Sequence, residues 1–204
     1  MDPRHDLYVM LHVPPAVASV IVHAQRLLNH GYHGPSRPMA PERLHATLVP
    51  LGSYAHRIPP HILRVALHAG ALLEEAPFRV CFDTLQSRGP RQSPGTVELA
   101  GHGAGVQPLY RLRRQVIHAL LKAGWPEEWI RPGFYPHITL DYEHDPVCAC
   151  AFEPLSWDVN EVLLVDSHYG KGDHEVLARW PLRDRQASLF DGGIDPNGCV
   201  TIAS

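Results

Sequence analysis

The sequence predicts an α+β fold, bilobal and pseudo-twofold, and three observations carry that reading. The tetrapeptide His-x-Thr-Leu occurs twice, as His45-Ala46-Thr47-Leu48 and His137-Ile138-Thr139-Leu140. Each copy follows an amphipathic helical segment and a Gly/Pro-rich loop, so helix, loop and motif recur in one order, as an old duplication would leave them. With 204 residues, 45% of them apolar, the chain can bury a sound core as one unit, and its 20 prolines and 16 glycines suit a loop-rich fold with open cleft walls.

Taken in order, Leu7 to Val13 reads as a strand stopped by Pro14-Pro15, and the prolines also open the helix Pro15 to Leu28. The first motif lies in a strand from Leu44 to Leu51. Pro59-Pro60 starts a second helix that runs to Leu73, with Ile62, Val65, Ala66, Ala69 and Leu72 on one stripe. Phe78 to Leu85 is a strand, Gln86 to Gly95 a polar loop, and Thr96 to Ala100 a short strand. Val106 to Lys122 is the clearest helix, with Leu109, Leu112, Val116, Ile117 and Leu120 as its buried stripe and Gly124 at its end. The second motif lies in a strand from Pro136 to Tyr142. Asn160 to Asp166 and His174 to Trp180 form a closing hairpin. Residues 1–183 are thus read as one bilobal domain and 184–204 as a flexible, polar tail.

The chemistry lies in the repeated motif. Residues i and i+2 of a strand point to the same face, so each copy projects an imidazole beside a hydroxyl. Two such units facing each other surround a phosphate with two acid/base groups and two hydroxyl donors. An imidazole of ordinary pKa near 6.5 works in either protonation state close to neutrality. His45 and His137 are therefore the candidate catalytic pair, and Thr47 and Thr139 the donors to the non-bridging oxygens, where charge collects in the transition state. The scheme needs no metal and no cofactor. Among the other histidines, His30, His33, His61 and His68 join no carboxylate or cysteine at ligand spacing.

Pro41 to Gly52, around the first motif, resembles the first signature of the 2H phosphoesterases, in their RNA 2′,3′-cyclic phosphodiesterase branch, also called 2′-5′ RNA ligases. Phe134 to Leu140 resembles the second signature, and Val162 to Ser167 with Glu175 to Leu182 is similar to that family's closing hairpin. The resemblance implies two antiparallel sheets flanked by helices, with the active-site cleft between them. It also implies hydrolysis of RNA 2′,3′-cyclic ends to 2′-phosphates, with 2′-5′ joining as the reverse. The symmetry of the motifs leaves the roles open, and the expectation is His137 as base and His45 as acid. The family commonly has arginine where this chain has Tyr142, so substrate-binding candidates are Tyr142 itself, Tyr135 beside His137, and Arg88 and Arg91. Two further readings remain: a relative acting on 2′-5′ oligonucleotides or a small cyclic phosphate, and a non-catalytic RNA-end-binding module.

A net charge of −3 argues against gripping long nucleic acid but not against reading an RNA end. Cys81, Cys148, Cys150 and Cys199 form no disulfide or zinc pattern. No signal peptide or spanning segment stands out, so the expected location is cytoplasmic, without a membrane partner. Gln186-Ala187-Ser188-Leu189-Phe190 resembles the pentapeptide that docks many bacterial proteins on the DNA sliding clamp, which makes the clamp a candidate partner through Gln186, Leu189 and Phe190.

Overall fold

The computed structural model describes residues 4–89, 95–168 and 173–183. In chain order its first elements are β1 (Arg4–His12), α1 (Pro15–Leu28), β2 (His45–Ala55), α2 (Pro60–Ala71), β3 (Phe78–Arg88) and β4 (Gly95–Ala100). They are followed by α3 (Gln107–Lys122), β5 (His137–His144), β6 (Cys150–Val159), β7 (Glu161–His168) and β8 (Asp173–Pro181). The strands form two four-stranded antiparallel sheets, ordered β2-β1-β7-β8 and β5-β4-β3-β6. Each motif strand, β2 and β5, is the outer member of its sheet.

Both sheets feed one buried cluster. It takes Leu7, Leu11 and Leu164 from the first sheet, Phe82, Leu99 and Ile138 from the second, and Leu109, Leu112 and Leu120 from α3. Phe82 is fully buried and stacks on Trp157 with ring centroids 5.4 Å apart. The helices cross between lobes: α1 lies between β1 and β2 in sequence but packs against β5 and β6. A buried polar group makes that packing specific, because Gln25 Nε2 of α1 donates to the carbonyls of Met39 (3.0 Å) and Leu140 (2.8 Å). α3 ends as its sequence predicts: Gly124 takes φ 97°, Gly124 N–H bonds to Leu121 O and Trp125 N–H to Leu120 O. In α2, a Cβ on Gly70 would stand 1.7 Å from the Trp180 ring of β8, so only glycine lets helix and sheet approach this closely.

Two expectations are corrected. Gln86, Ser87 and Arg88, expected in a loop, continue β3, where they pair with Glu98, Val97 and Thr96. Their polarity misleads because Arg88 lines the cleft, Gln86 bonds to Glu98 and Tyr135 beside it, and Ser87 Oγ accepts from Val147 N. Strand β6 has no counterpart among the expected elements, since only its second half alternates: Leu155, Trp157 and Val159 are buried, whereas Cys150, Ala151, Glu153 and Pro154 are exposed. Gln186, Leu189 and Phe190, Arg91 and Cys199 lie outside the described residues, as does the 184–204 tail.

Candidate active site

Period-two alternation places the motif side chains. In β2, Ala46 and Leu48 are buried and His45 and Thr47 lie on the opposite face; in β5, Ile138 and Leu140 are buried and His137 and Thr139 lie opposite. All four polar residues line one cleft of about 690 Å³, together with Tyr8, Arg37, Arg43, Arg88, Glu98 and Tyr142. The two sheets thus bring together residues that are far apart in sequence.

The histidines are held alike. His45 Nδ1 lies 2.6 Å from Arg43 O, and His137 Nδ1 lies 2.8 Å from Tyr135 O. A carbonyl only accepts, so Nδ1 carries the proton in both rings and Nε2 is left for chemistry. The same contact, to the carbonyl two residues upstream, fixes the same tautomer twice.

Beyond that contact the two halves differ. Burial pushes the His45 pKa down to about 4, helped by electrostatic repulsion from His12, Arg43 and His137, and opposed by the Arg43 carbonyl. His174 of β8 stands edge-on to His45 at 5.2 Å and is itself pushed down, by burial first, to about 3. His137 instead has a carboxylate beside it: Glu98 Oε2, on an almost fully buried residue of β4, is 3.8 Å from His137 Nε2. Gln86 Nε2 donates to Glu98 Oε1 (3.3 Å) and to the Tyr135 hydroxyl (2.6 Å), joining the acid to the aromatic that stacks on His137 at 5.7 Å.

Of the residues expected to bind substrate, Arg88 and Tyr142 line the cleft. Tyr135 is not among the lining residues; it stacks on His137 with the Arg88 guanidinium 5.3 Å above its ring. Reading the sequence alone misses Arg37. The segment around it adds to the β5 edge: Met39 N–H bonds to Leu140 O, Tyr142 N–H to Arg37 O, and Asp141 accepts from Ser36 Oγ and Arg37 N. This places the Arg37 guanidinium 5.2 Å over the Tyr142 ring, at the position where an arginine was expected. Nothing within the loop sequence signals that placement. Glu98, Gln86 and His174 are missed as well, Gln86 because the sequence ends β3 too early. Arg4, Arg37, Arg43 and Arg88 outnumber Asp6 and Glu98 around the cleft, so a chain of net negative charge presents a locally cationic site.

The model of the 2′-5′ RNA ligase superfamily matches residues 13–171. Among curated proteins there is no match. Among solved structures, TT0787 of Thermus thermophilus shares 25% identity over 88% of this chain and 99% of that chain, with a TM-score of 0.69. E. coli LigT in apo form shares 25% identity over 90% of this chain and 100% of its own, with a TM-score of 0.63. LigT complexed with 3′-AMP gives 24% identity, the same coverage and a TM-score of 0.64. The two four-stranded antiparallel sheets with helices packed on them match this LigT-like architecture, and the chain belongs to the 2′-5′ RNA ligase superfamily of 2H phosphoesterases.

Proposed function

We propose that the cleft hydrolyses the 2′,3′-cyclic phosphodiester at an RNA end to a 2′-phosphate. The observation that carries the reading is the pair of His-x-Thr units on facing edge strands, each imidazole locked in the tautomer that leaves Nε2 free. Water attacks phosphorus, one histidine removes its proton, the P–O3′ bond breaks, and the other histidine protonates O3′. Thr47 and Thr139 donate to the non-bridging oxygens. A 5′-hydroxyl in place of water gives a 2′-5′ link. That LigT was solved with 3′-AMP supports a nucleotide end as the ligand class.

The electrostatics favour roles opposite to those expected from resemblance. A histidine with a pKa of about 4 is unprotonated at neutral pH and suits the base, so His45 takes that role. An imidazolium at His137 has the Glu98 carboxylate 3.8 Å away, so His137 is the acid. Arg88 and Arg37 hold the anion, and Tyr142, exposed beneath Arg37, offers a ring face to a base. The reading also places the protein in the cytoplasm with RNA ends as its substrate; among the described residues, no helix is long and apolar enough to cross a membrane.

The test is a panel of cyclic-ended oligonucleotides, small cyclic phosphates and 2′-5′ oligomers, with products identified by mass and by phosphatase sensitivity. A 2′-phosphate product from cyclic-ended RNA, lost in His45→Ala, supports the reading; turnover of 2′-5′ oligomers alone replaces it. Roles are separated with a cyclic substrate carrying sulfur at the leaving 3′ position, since a thiolate leaves without an acid. That substrate rescues His137→Ala and not His45→Ala if His137 is the acid.

A further inference from the structure

A second cluster lies outside the two motifs. Strands β1, β7 and β8 set it out by register alone: His5 pairs across from His168, Asp166 pairs across from Glu175, and Asp166 and His168 are two residues apart on β7. His5 Nδ1 is 2.6 Å from Asp166 Oδ2, and His168 Nε2 is 3.3 Å from the same oxygen and 3.6 Å from Glu175 Oε2. Among the described residues, His5, Asp166 and His168 form the one group of three metal-type donors that all come within 4.8 Å of one another. Sequence spacing hides it, because His5 precedes its partners by almost the whole domain.

We propose that His5, Asp166, His168 and Glu175 form a binding site for a divalent transition metal of zinc type. Zinc takes imidazole nitrogen and carboxylate oxygen at about 2.0–2.1 Å in a tetrahedron, so its donor atoms stand roughly 3.3 Å apart. The contacts of His168 with Asp166 (3.3 Å) and Glu175 (3.6 Å) are close to that spacing, the His5–Asp166 contact must open by about 0.7 Å, and His5 and the exposed Glu175 side chain must close in on the other donors. A second observation points the same way. Asp166 is 5% exposed, yet its Oδ1 has no hydrogen-bond partner, and neither has His168 Nε2 although it faces two carboxylates. Buried polar atoms are ordinarily satisfied. A cation among them engages His168 Nε2 and the Asp166 carboxylate and ties together three strands, of which β7 and β8 carry Ser167, His168 and His174 of the cleft wall.

The test uses the full chain, stripped with a chelator, and Zn²⁺ in competition with a chromophoric chelator, with Co²⁺ as a spectroscopic probe. One equivalent of Zn²⁺ binds, and Co²⁺ gives the intense visible bands of a tetrahedral site without the near-ultraviolet thiolate charge-transfer band. At about 100 times Kd the Tm rises by roughly 5–10 °C. His5→Gln and Asp166→Asn weaken binding by at least 10–100-fold, the loss that even an outer partner of a metal ligand brings. Glu175→Gln, at an exposed position that the fold does not need, weakens it less. Circular dichroism and the metal-free Tm separate loss of the site from loss of the fold. The exposed pair Cys148 and Cys150 is the rival site. Binding that survives His5→Gln and Glu175→Gln at full strength, or that disappears in Cys148→Ser/Cys150→Ser, overturns the proposal.

Discussion

Acidifying the assay tests the assignment of His45 as base, because the structure sets where activity is lost. The free enzyme must carry His45 unprotonated, and kcat/KM reports that ionisation. With its pKa at about 4, roughly 97% of His45 is neutral at pH ~5.5, against about 9% for a histidine at the ordinary 6.5. The acid limb of kcat/KM therefore lies near pH 4, and activity at pH ~5.5 is about tenfold higher than an unperturbed base allows. The basic limb follows loss of the proton from the acid partner. His174→Ala admits water beside His45 and relieves burial, the leading cause of its low pKa, so the acid limb moves toward 6.5. The assay is initial rate against pH with cyclic-ended dinucleotide below KM, in buffers of constant ionic strength. An acid limb at 6.5 or above in the wild type refutes the assignment. So does an optimum near pH 4 that falls toward neutrality, the signature of His45 acting in its protonated form.

Four other outcomes are expected. His45→Ala and His137→Ala each lower turnover by about 10²–10⁴-fold with the fold intact by circular dichroism, whereas Thr47→Ala and Thr139→Ala cost about 10²–10³-fold. Arg37→Ala raises KM for cyclic-ended RNA more than it lowers kcat, and Tyr142→Arg tightens binding; an unchanged KM in both would show that this corner of the cleft does not reach the substrate. His45 and His174, both half-buried, have folded pKa values below the unfolded 6.5, so the unfolded state binds more protons as the pH falls. Urea unfolding then shows stability declining from pH 6.5 toward 4, by up to about 3 kcal/mol for each histidine, and a flatter dependence in His45→Asn/His174→Asn. Phe82→Ala, which empties the stacked position against Trp157, costs roughly 3–5 kcal/mol.

What the sequence makes legible is whatever depends on neighbours in the chain. The bounds of α1 and the end of α3 at Gly124 follow from proline starts, an apolar stripe and a glycine able to take positive φ. The candidate quartet His45, Thr47, His137 and Thr139 is legible because strand periodicity alone sends His and Thr of each motif to one face. Local pattern fails where the cleft replaces the core as the reason for a side chain. Gln86 and Arg88 look like loop residues because they are polar, and they are polar because they line or brace the site. Arg37 escapes for a different reason. Its position is fixed by Asp141 and Tyr142, about a hundred residues downstream, through backbone bonds that no spacing rule encodes.

The repeated motif supplies two histidines, and the surroundings of the two copies make them differ. A symmetric pair gives each imidazole the same tautomer and no preference for accepting or releasing the proton. The two Nδ1–carbonyl contacts preserve that symmetry. Everything packed around them breaks it. Sheet β2-β1-β7-β8 and the turn before β2 surround His45 with His12, His174 and Arg43, groups that disfavour a further positive charge. Sheet β5-β4-β3-β6 places the Glu98 carboxylate beside His137 Nε2, with the Gln86 amide bonded to it. Exchanging Glu98 for Gln removes the counter-ion and keeps the shape. If direction is set by these surroundings and not by the motifs, Glu98→Gln lowers the rate with an oxygen leaving group and spares the rate with a sulfur leaving group. Equal loss on both substrates would mean that Glu98 supports the fold of the cleft wall and that the asymmetry has another source.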